Sequence, residues 1–390
     1  MKRSSRASRR PHVALLVETS LASGRDVLLG IAQYVRDHGP WSIFQEPRGL
    51  EAGPPPWLKT WRGDGIIVRL QDESVAAAVL ATGLPAVDVL GVAAHPAIPL
   101  VHVQDEQIAT LAAEHLLERG FRHFGFCGLR GVNWSERRCA AFARRVTAAG
   151  GDLGIYLLPR HSTSRASWEQ QQDALGRWLM SLPKPVGVMA CNDPRGQLVL
   201  EAARRVGISA PDEVAVIGVD NDEPICELSD PPLTSVCGDL CRVGYEAAAL
   251  LDRMMDGEPA PREPLLAEPK GIVVRRSTQS LAIEDTIVAA AARYIGEHAC
   301  RGIGVLDVLK VCPYSRSTLH RRFQEIVGRS VHDEIVRVRL AEAQRLLATS
   351  DLPLTMVAER AGFKHQEYMG AVFKAMLDVT PARYRRQRRR

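Results

Sequence analysis

Between His12 and roughly Val274, short apolar, β-branched runs alternate with stretches of helical patterning, and the series is repeated twice. HVALLVE leads into GRDVLLGIAQYVRDHG, whose apolar residues recur three and four apart and stop at Gly39. WSIFQE, GIIVRL, PAVDVL and LVHVQ continue the strands, with helices such as EQIATLAAEHLLERG between them. A second set opens at HFGFCGL and runs through RRCAAFARRVTAAGG, WEQQQDALGRWLMSL, VGVMACND, RGQLVLEAARRVG and VAVIGVDND. Strand–helix–strand order implies parallel sheets wrapped by helices. Roughly 260 residues is large for one open sheet, so two lobes joined by crossing strands are expected. Ligands in such sheets sit at the carboxyl ends of strands.

After RRSTQS the pattern changes to short helices with tight turns and almost no β-rich alternation. This shift, near residues 277–283, divides the chain into a basic flexible arm (1–11), an α/β unit (12–280) and an all-α unit (281–390). Charge follows the same division. Residues 281–390 carry 19 basic and 12 acidic side chains, or +7, which leaves −2 for the rest of a chain whose net charge is +5. An acidic body with a basic C-terminal third points to a polyanionic partner for that third. No apolar span reaches bilayer length, and the apolar part of the N-terminus is shorter than a secretory core, so a cytoplasmic protein is expected. The eight cysteines include no CxxC pair and read as reduced thiols; Cys237 and Cys241, four apart, could instead sit on one helix face as ligands.

The C-terminal third holds two similar units. In VLDVLKVCPYSRSTLHRRFQEIVG an apolar helix turns into Ser315, a good N-cap, and then a helix from Arg316 to about Glu325. In LTMVAERAGFKHQEYMGAVFKAM the turn is Gly362–Phe363, and the second helix runs from about Gln366 to Met376. Both have the helix–turn–helix layout that lays a second helix in a DNA major groove. VHDEIVRVRLAEAQRLLATS would connect them as one helix of about 27 Å, close to the approximately 34 Å between successive major-groove faces.

Here the chain resembles the AraC family of transcription regulators. The resemblance rests on Ser315, Leu319 and Phe323, on Arg339, Ala343 and Leu347, on Ala358 with Gly362–Phe363, and on Phe373–Lys374, Thr380–Pro381 and Tyr384–Arg385. It implies that Arg316, Ser317, His320 and Arg321 on the first recognition helix, and His365, Gln366, Glu367 and Lys374 on the second, face a double-stranded operator. Arginine can fork onto guanine, while Ser and His reach bases or phosphates. Leu319, Phe323, Met369 and Phe373 should be core. Pro313 stands where the first turn usually has Gly, Met369 and Asp378 replace a usual Phe and Gly, and Gly370 lies inside the second recognition helix; a looser second unit is expected. The terminal RYRRQRRR, like KRSSRASRR at the other end, reads either as a phosphate-binding arm or as a solvated, mobile tail.

In VIGVDNDEPI an apolar run breaks into Asp220, Asn221, Asp222 and Glu223. Hard oxygen ligands could hold a metal, but no His cluster or calcium-loop spacing accompanies them. Two carboxylates could perform acid–base work, yet GxSxG, GK[ST] and HExxH are all missing from the sequence. They could accept hydrogen bonds from a polyhydroxyl ligand, or simply cap the following turn. No catalytic, metal or cofactor site is therefore assigned.

The stretch VMACNDPRGQLVLEAARRVGISAPDEVAVIGVDND, with PPLTSV and GYEAAALLDRMM, resembles the LacI-type periplasmic-binding-protein fold, two lobes that close on a small molecule. From end to end, through the RRST junction and the HACRGI segment, the chain resembles the family of sugar-operon regulators that join these two parts. That resemblance implies a monosaccharide effector, an aldopentose such as D-xylose first. It places Arg25 at the opening of the first helix, Arg137 rather than Arg138 against the sugar, Trp134 stacked on it, and Asp193 and Asp220 as polar contacts, with Asp222 secondary. Arg25 could instead be a surface arginine, and Trp134 could equally be a buried one. The combined reading is a sugar-responsive activator, homodimeric on DNA and acting on RNA polymerase, with coupling through residues 271–283. A sugar-acting enzyme, a plain sugar-binding component and a constitutive DNA-binding protein are its rivals.

Overall fold

The computed structural model describes residues 10–49, 52–92, 95–159, 168–279 and 285–388. The expected N-terminal arm therefore lies outside the described residues except for its last two positions, as does most of the 277–283 boundary segment.

Strands β1 (His12–Leu16), β2 (Ser42–Gln45), β3 (Gly65–Val68), β4 (Ala86–Val89) and β5 (Leu100–Val103) belong to the first lobe. Strands β6 (His123–Arg130), β7 (Asp152–Pro159), β8 (Val186–Ala190), β9 (Val214–Val219) and β10 (Thr234–Cys237) build the second. Two three-residue strands, β11 (Leu265–Ala267) and β12 (Gly271–Val273), return to the edges of the first and second sheets respectively. The sheet orders are β11-β5-β4-β3-β1-β2 and β12-β10-β9-β8-β6-β7. Every recorded pairing is parallel except β10 with β12. Strands β3, β4, β8 and β9 are buried at every position, as sheets covered on both faces require.

Helices α1 (Ala22–His38) and α2 (Glu73–Leu80) flank the first sheet. The chain crosses to the second lobe at α3 (Asp105–Leu117), which packs on α4 (Asn133–Ala148). There α5 (Trp168–Ser181), α6 (Asp193–Arg205) and the short α7 (Glu223–Leu228) follow, before α8 (Leu240–Met255) crosses back to pack on α1. The β11–β12 link makes the third crossing. Asn192 and Asp239 start α6 and α8 by accepting the N–H groups of Arg195 and Arg242, both at 3.1 Å.

The helical unit comprises α9 (Thr286–His298), α10 (Val305–Lys310), α11 (Arg316–Val327), α12 (Val331–Thr349), α13 (Leu354–Arg360), α14 (Gln366–Leu377) and α15 (Pro381–Arg388). Helix α12 carries two separate cores. Leu319 and Phe323 of α11 pack with Val331 and Ile335 at its start, whereas Met369, Val372 and Phe373 of α14 pack with Leu340, Ala343 and Leu347 further along. Each helix–turn–helix unit is thus seated on its own half of one rod, about 28 Å long by helical rise. Buried Arg339 ties the rod to the first unit by donating to the carbonyls of Ala299 (2.9 Å) and Ile303 (2.6 Å). Gly362 lies at φ +82°, and a Cβ there would fall 2.7 Å from the Ala299 carbonyl oxygen, so glycine is required where the second turn meets the first unit.

The basic terminus differs from its mobile-tail reading. It is helical as far as Arg388, and Arg385 donates to the Leu352 carbonyl at 2.6 Å. Residues 389–390 lie outside the described residues. Asp378 occupies the left-handed C-cap of α14 at φ +53°, a conformation that a short polar side chain tolerates.

Candidate functional site

The carboxyl ends of both sheets face each other, and the acidic stretch after β9 lies at this junction. Its backbone is unusual: Asp220 has φ +102° and Asn221 φ +55°. Asn and Asp are among the few residues that accept such angles, and strain of this kind collects at ligand sites. The turn is held from behind. Asp220 N–H donates to the Val236 carbonyl (3.0 Å), and Asn221 N–H to Ser235 Oγ (3.0 Å). Asp193, completely buried at the start of α6, accepts from Asp222 N–H (2.7 Å) and from Ser235 Oγ (2.6 Å). A Cβ on Gly218 would fall 2.2 Å from Asp193 Oδ1, so this bracket also needs glycine beside it.

Asp193 thus spends both oxygens on protein groups. Burial first, then the nearby Asp220, pushes its carboxyl up to about 7. Asp222 is the N-cap residue of α7, yet its side chain makes no cap hydrogen bond. It reaches across the cleft instead: Oδ2 accepts from Ala22 N–H at 3.3 Å and lies 3.8 Å from the Arg25 guanidinium. Arg25 also donates to the Thr19 and Ser20 carbonyls, both at 3.0 Å. The Asp222 contacts and the Asn133 Nδ2 bond to the Gly91 carbonyl (3.2 Å) bridge the lobes.

Asp220 is the carboxylate facing the charged centre. Burial pushes it up to about 6, against the pull of Arg138 and then Arg69. Arg138 is 3% exposed, donates to Asp105 Oδ1 (2.8 Å) and the Cys191 carbonyl (2.6 Å), and stands 5.0 Å over the Trp134 ring. Trp134 is therefore buried beneath an arginine, with its indole N–H unpartnered. Arg137 is more exposed and meets the other Asp105 oxygen at 2.7 Å. Burial alone would raise the Asp105 carboxyl, but Arg138, His102 and Arg137 hold it below the usual range.

The first lobe adds charged residues that sequence reading missed. Arg69 follows β3, bonds Glu18 after β1, and donates to the Leu90 carbonyl at 3.1 Å. Fully buried Asp88 at the end of β4 accepts the Leu70 N–H (3.0 Å) and is pushed by burial to about 7. The available signal was an Arg or Asp at the end of an otherwise apolar run. Two cavities flank the centre. One, a small hollow, lies between Ala22 and Ser23 of one lobe and Asn192, Asp220 and Asp222 of the other. The other is walled by Glu18, Arg48, Arg69 and Gln71. Among the described residues no cluster of His, Cys, Asp and Glu could hold a metal, and Cys237 and Cys241 are unpaired, half-buried thiols.

On the helical unit Ser315 caps α11 by accepting the Thr318 N–H at 3.2 Å. Arg316, Ser317, His320 and Arg321 are exposed on it, with Arg321 paired to Glu325 at 3.0 Å. On α14, His365 and Glu367 are exposed and Gln366 is half-buried at the N-terminal end. Lys374 lies about two turns further on, paired with Asp378 at 2.5 Å. Leu319, Phe323, Met369 and Phe373 are all core, as expected.

Residues 113–278 match the periplasmic binding protein-like domain family, and residues 310–387 a helix-turn-helix domain family. The chain is 32% identical over 386 residues to the xylose operon regulatory protein of Escherichia coli (strain K12), covering 97% of each chain. The chain belongs to the family of xylose operon regulatory proteins. A second member of this family, from Haemophilus influenzae, is 30% identical over 96% of this chain and 97% of its own. A solved structure described as the xylose-binding transcription activator XylR superposes with a TM-score of 0.74 at 31% identity, covering 97% of this chain and 99% of that one. A regulator solved with cellobiose shares only the fold, with a TM-score of 0.56 at 22% identity over 69% of this chain and 85% of that one. Members of this family are transcription regulators rather than enzymes, and among the described residues no helix is long and apolar enough to cross a membrane.

Proposed function

We propose that this regulator binds a monosaccharide between its lobes, D-xylose or a closely related aldopentose, and in response alters how its helical unit engages DNA. The observation that carries this reading is Asp220, held on strained backbone where it lines the hollow between the lobes, within the electrostatic reach of buried Arg138 and Arg69. Its carboxylate would accept sugar hydroxyls, Arg137 and Arg138 would donate to ring and hydroxyl oxygens, and Arg25 with Asp222 would close the mouth. Asp193 supports the turn rather than touching sugar. The division at 12–280 and 281–390 separates sensor from reader. The exposed faces of α11 and α14 take adjacent major-groove segments, and the protein works in the cytoplasm as a homodimeric activator that contacts RNA polymerase.

Coupling runs through residues 271–279. Arg275 donates to Asn221 Oδ1 at 2.9 Å, beside Asp220, and bonds Glu227 at 2.7 Å. Ser277 and Thr278, two and three residues on, are buried in the second lobe. Ser277 Oγ donates to the Val216 carbonyl (2.6 Å), and Thr278 shares hydrogen bonds with His115 and Thr234, each at 2.8 Å. Sugar that repositions the β9–α7 turn thereby moves the segment leading to α9, a shift of population between two placements of the reader. Thermal-shift screening against pentoses and hexoses is the test. A pentose should raise the melting temperature of the wild type and not of Asp220→Ala; equal shifts in both would overturn the assignment.

A further inference from the structure

Glu18, like Asp88, is a buried carboxylate bonded at one oxygen only, and of the two it is Glu18 that lines the hollow beside Arg48 and Gln71. The residue is 3% exposed; Oε1 is bonded to Arg69, while Oε2 is buried and accepts nothing. An unpaired buried acceptor is costly, and one that lines a cavity is placed to receive a donor. Arg69 is itself fixed, donating to the Leu90 carbonyl at 3.1 Å and to Ser23 Oγ at 3.5 Å, so the Glu18 carboxylate it bonds is held in place. The small hollow beside it is walled by Arg48, Gln71 and Val75 at the strand ends of the first lobe. Arg48 already donates to the Ala52 and Gly53 carbonyls at 2.9 and 2.6 Å.

Charge in the cleft narrows the ligand further. Arg69 is matched by Glu18, Arg25 by Asp222, and Arg137 and Arg138 by Asp105. An acidic or phosphorylated sugar seated between Glu18 and Asp220 would bring its charge against a carboxylate at each end, which selects against it. A neutral polyol offers hydroxyl donors and meets no such penalty.

We infer that Glu18 is a specificity-determining residue on the first lobe, accepting a hydroxyl of a neutral sugar whose other end is held by Asp220. This inference rests on the proposed sugar reading and adds to it the lobe-1 contact and the ligand's charge. The test is calorimetric titration of the full-length wild type and Glu18→Gln with D-xylose, L-arabinose, D-ribose and D-glucose. Loss of a charge-assisted hydrogen bond should weaken the best sugar about tenfold or more in the variant. Unchanged affinity in Glu18→Gln would overturn the role of Glu18 alone. Failure of every sugar to bind the wild type would overturn the sugar reading and this inference with it. Since the variant removes a partner of buried Arg69, a crystal structure of the wild type with the best sugar supplies an independent check. A sugar hydroxyl within hydrogen-bonding distance of Oε2 is expected, and a water in its place would overturn the inference.

Discussion

At the residue scale the central group is Asp220, and its protonation sets a pH window. With its carboxyl pushed up to about 6, it is ionised at pH 7 and largely protonated at pH 5. Only the ionised form accepts from hydroxyls at both oxygens, so effector affinity should fall as pH drops from 7 to 5. Titrations across that range check this, and the fall should disappear in Asp220→Asn. Asp193 should behave differently, because it holds backbone. Asp193→Ala leaves the Asp222 N–H and Ser235 hydroxyl without acceptors and should cost about 2–3 kcal/mol in denaturant unfolding of the apo protein. Asp220 was legible in sequence because four polar residues interrupt an apolar strand end. Glu18 and Arg69 were not, since a lone charged residue after a buried run also reads as the place where a strand meets solvent. Nor could sequence separate Arg137 from Arg138. Neighbouring helix positions point about 100° apart, and only the packing of α4 decides that Arg138 is the buried one facing Asp220.

At the element scale the helical unit is two small cores on one rod, and its stability is open to local adjustment. Gly370 lies within α14 with open space around its would-be Cβ, so Gly370→Ala should stabilise the unit by about 1 kcal/mol through helix propensity. Gly362→Ala should destabilise it by more than that, since its left-handed backbone and the nearby Ala299 carbonyl both oppose a side chain. Denaturant unfolding of both variants measures the contrast. These helices were legible because their ends carry chemical markers: Ser315 caps α11, and Gly362 makes the second turn. Helix α15 was not. Its sequence offers Tyr384 but no apolar stripe, and it forms through the edge-on contact of Tyr384 with Phe373, 5.8 Å between ring centres, and through Arg385 on the Leu352 carbonyl. The three-residue strands β11 and β12 were too short to show a period, although they make the third crossing between the lobes.

At the scale of the whole molecule the proposed coupling runs from the cleft to the reader through Arg275, which bonds the turn at Asn221. Arg275→Ala should leave sugar affinity within about tenfold of the wild type, since the residue bonds the turn rather than the cavity, while the effect of sugar on DNA affinity is lost. Fluorescence anisotropy with a labelled operator, with and without sugar, reads both outcomes. The most direct measurement is hydrogen–deuterium exchange of the full-length chain with and without saturating aldopentose. The account predicts slower exchange in the turns after β1, β3 and β9, together with altered exchange in residues 271–279 and α12. Protection confined to the cleft, with residues 271–279 and α12 unchanged, would contradict it.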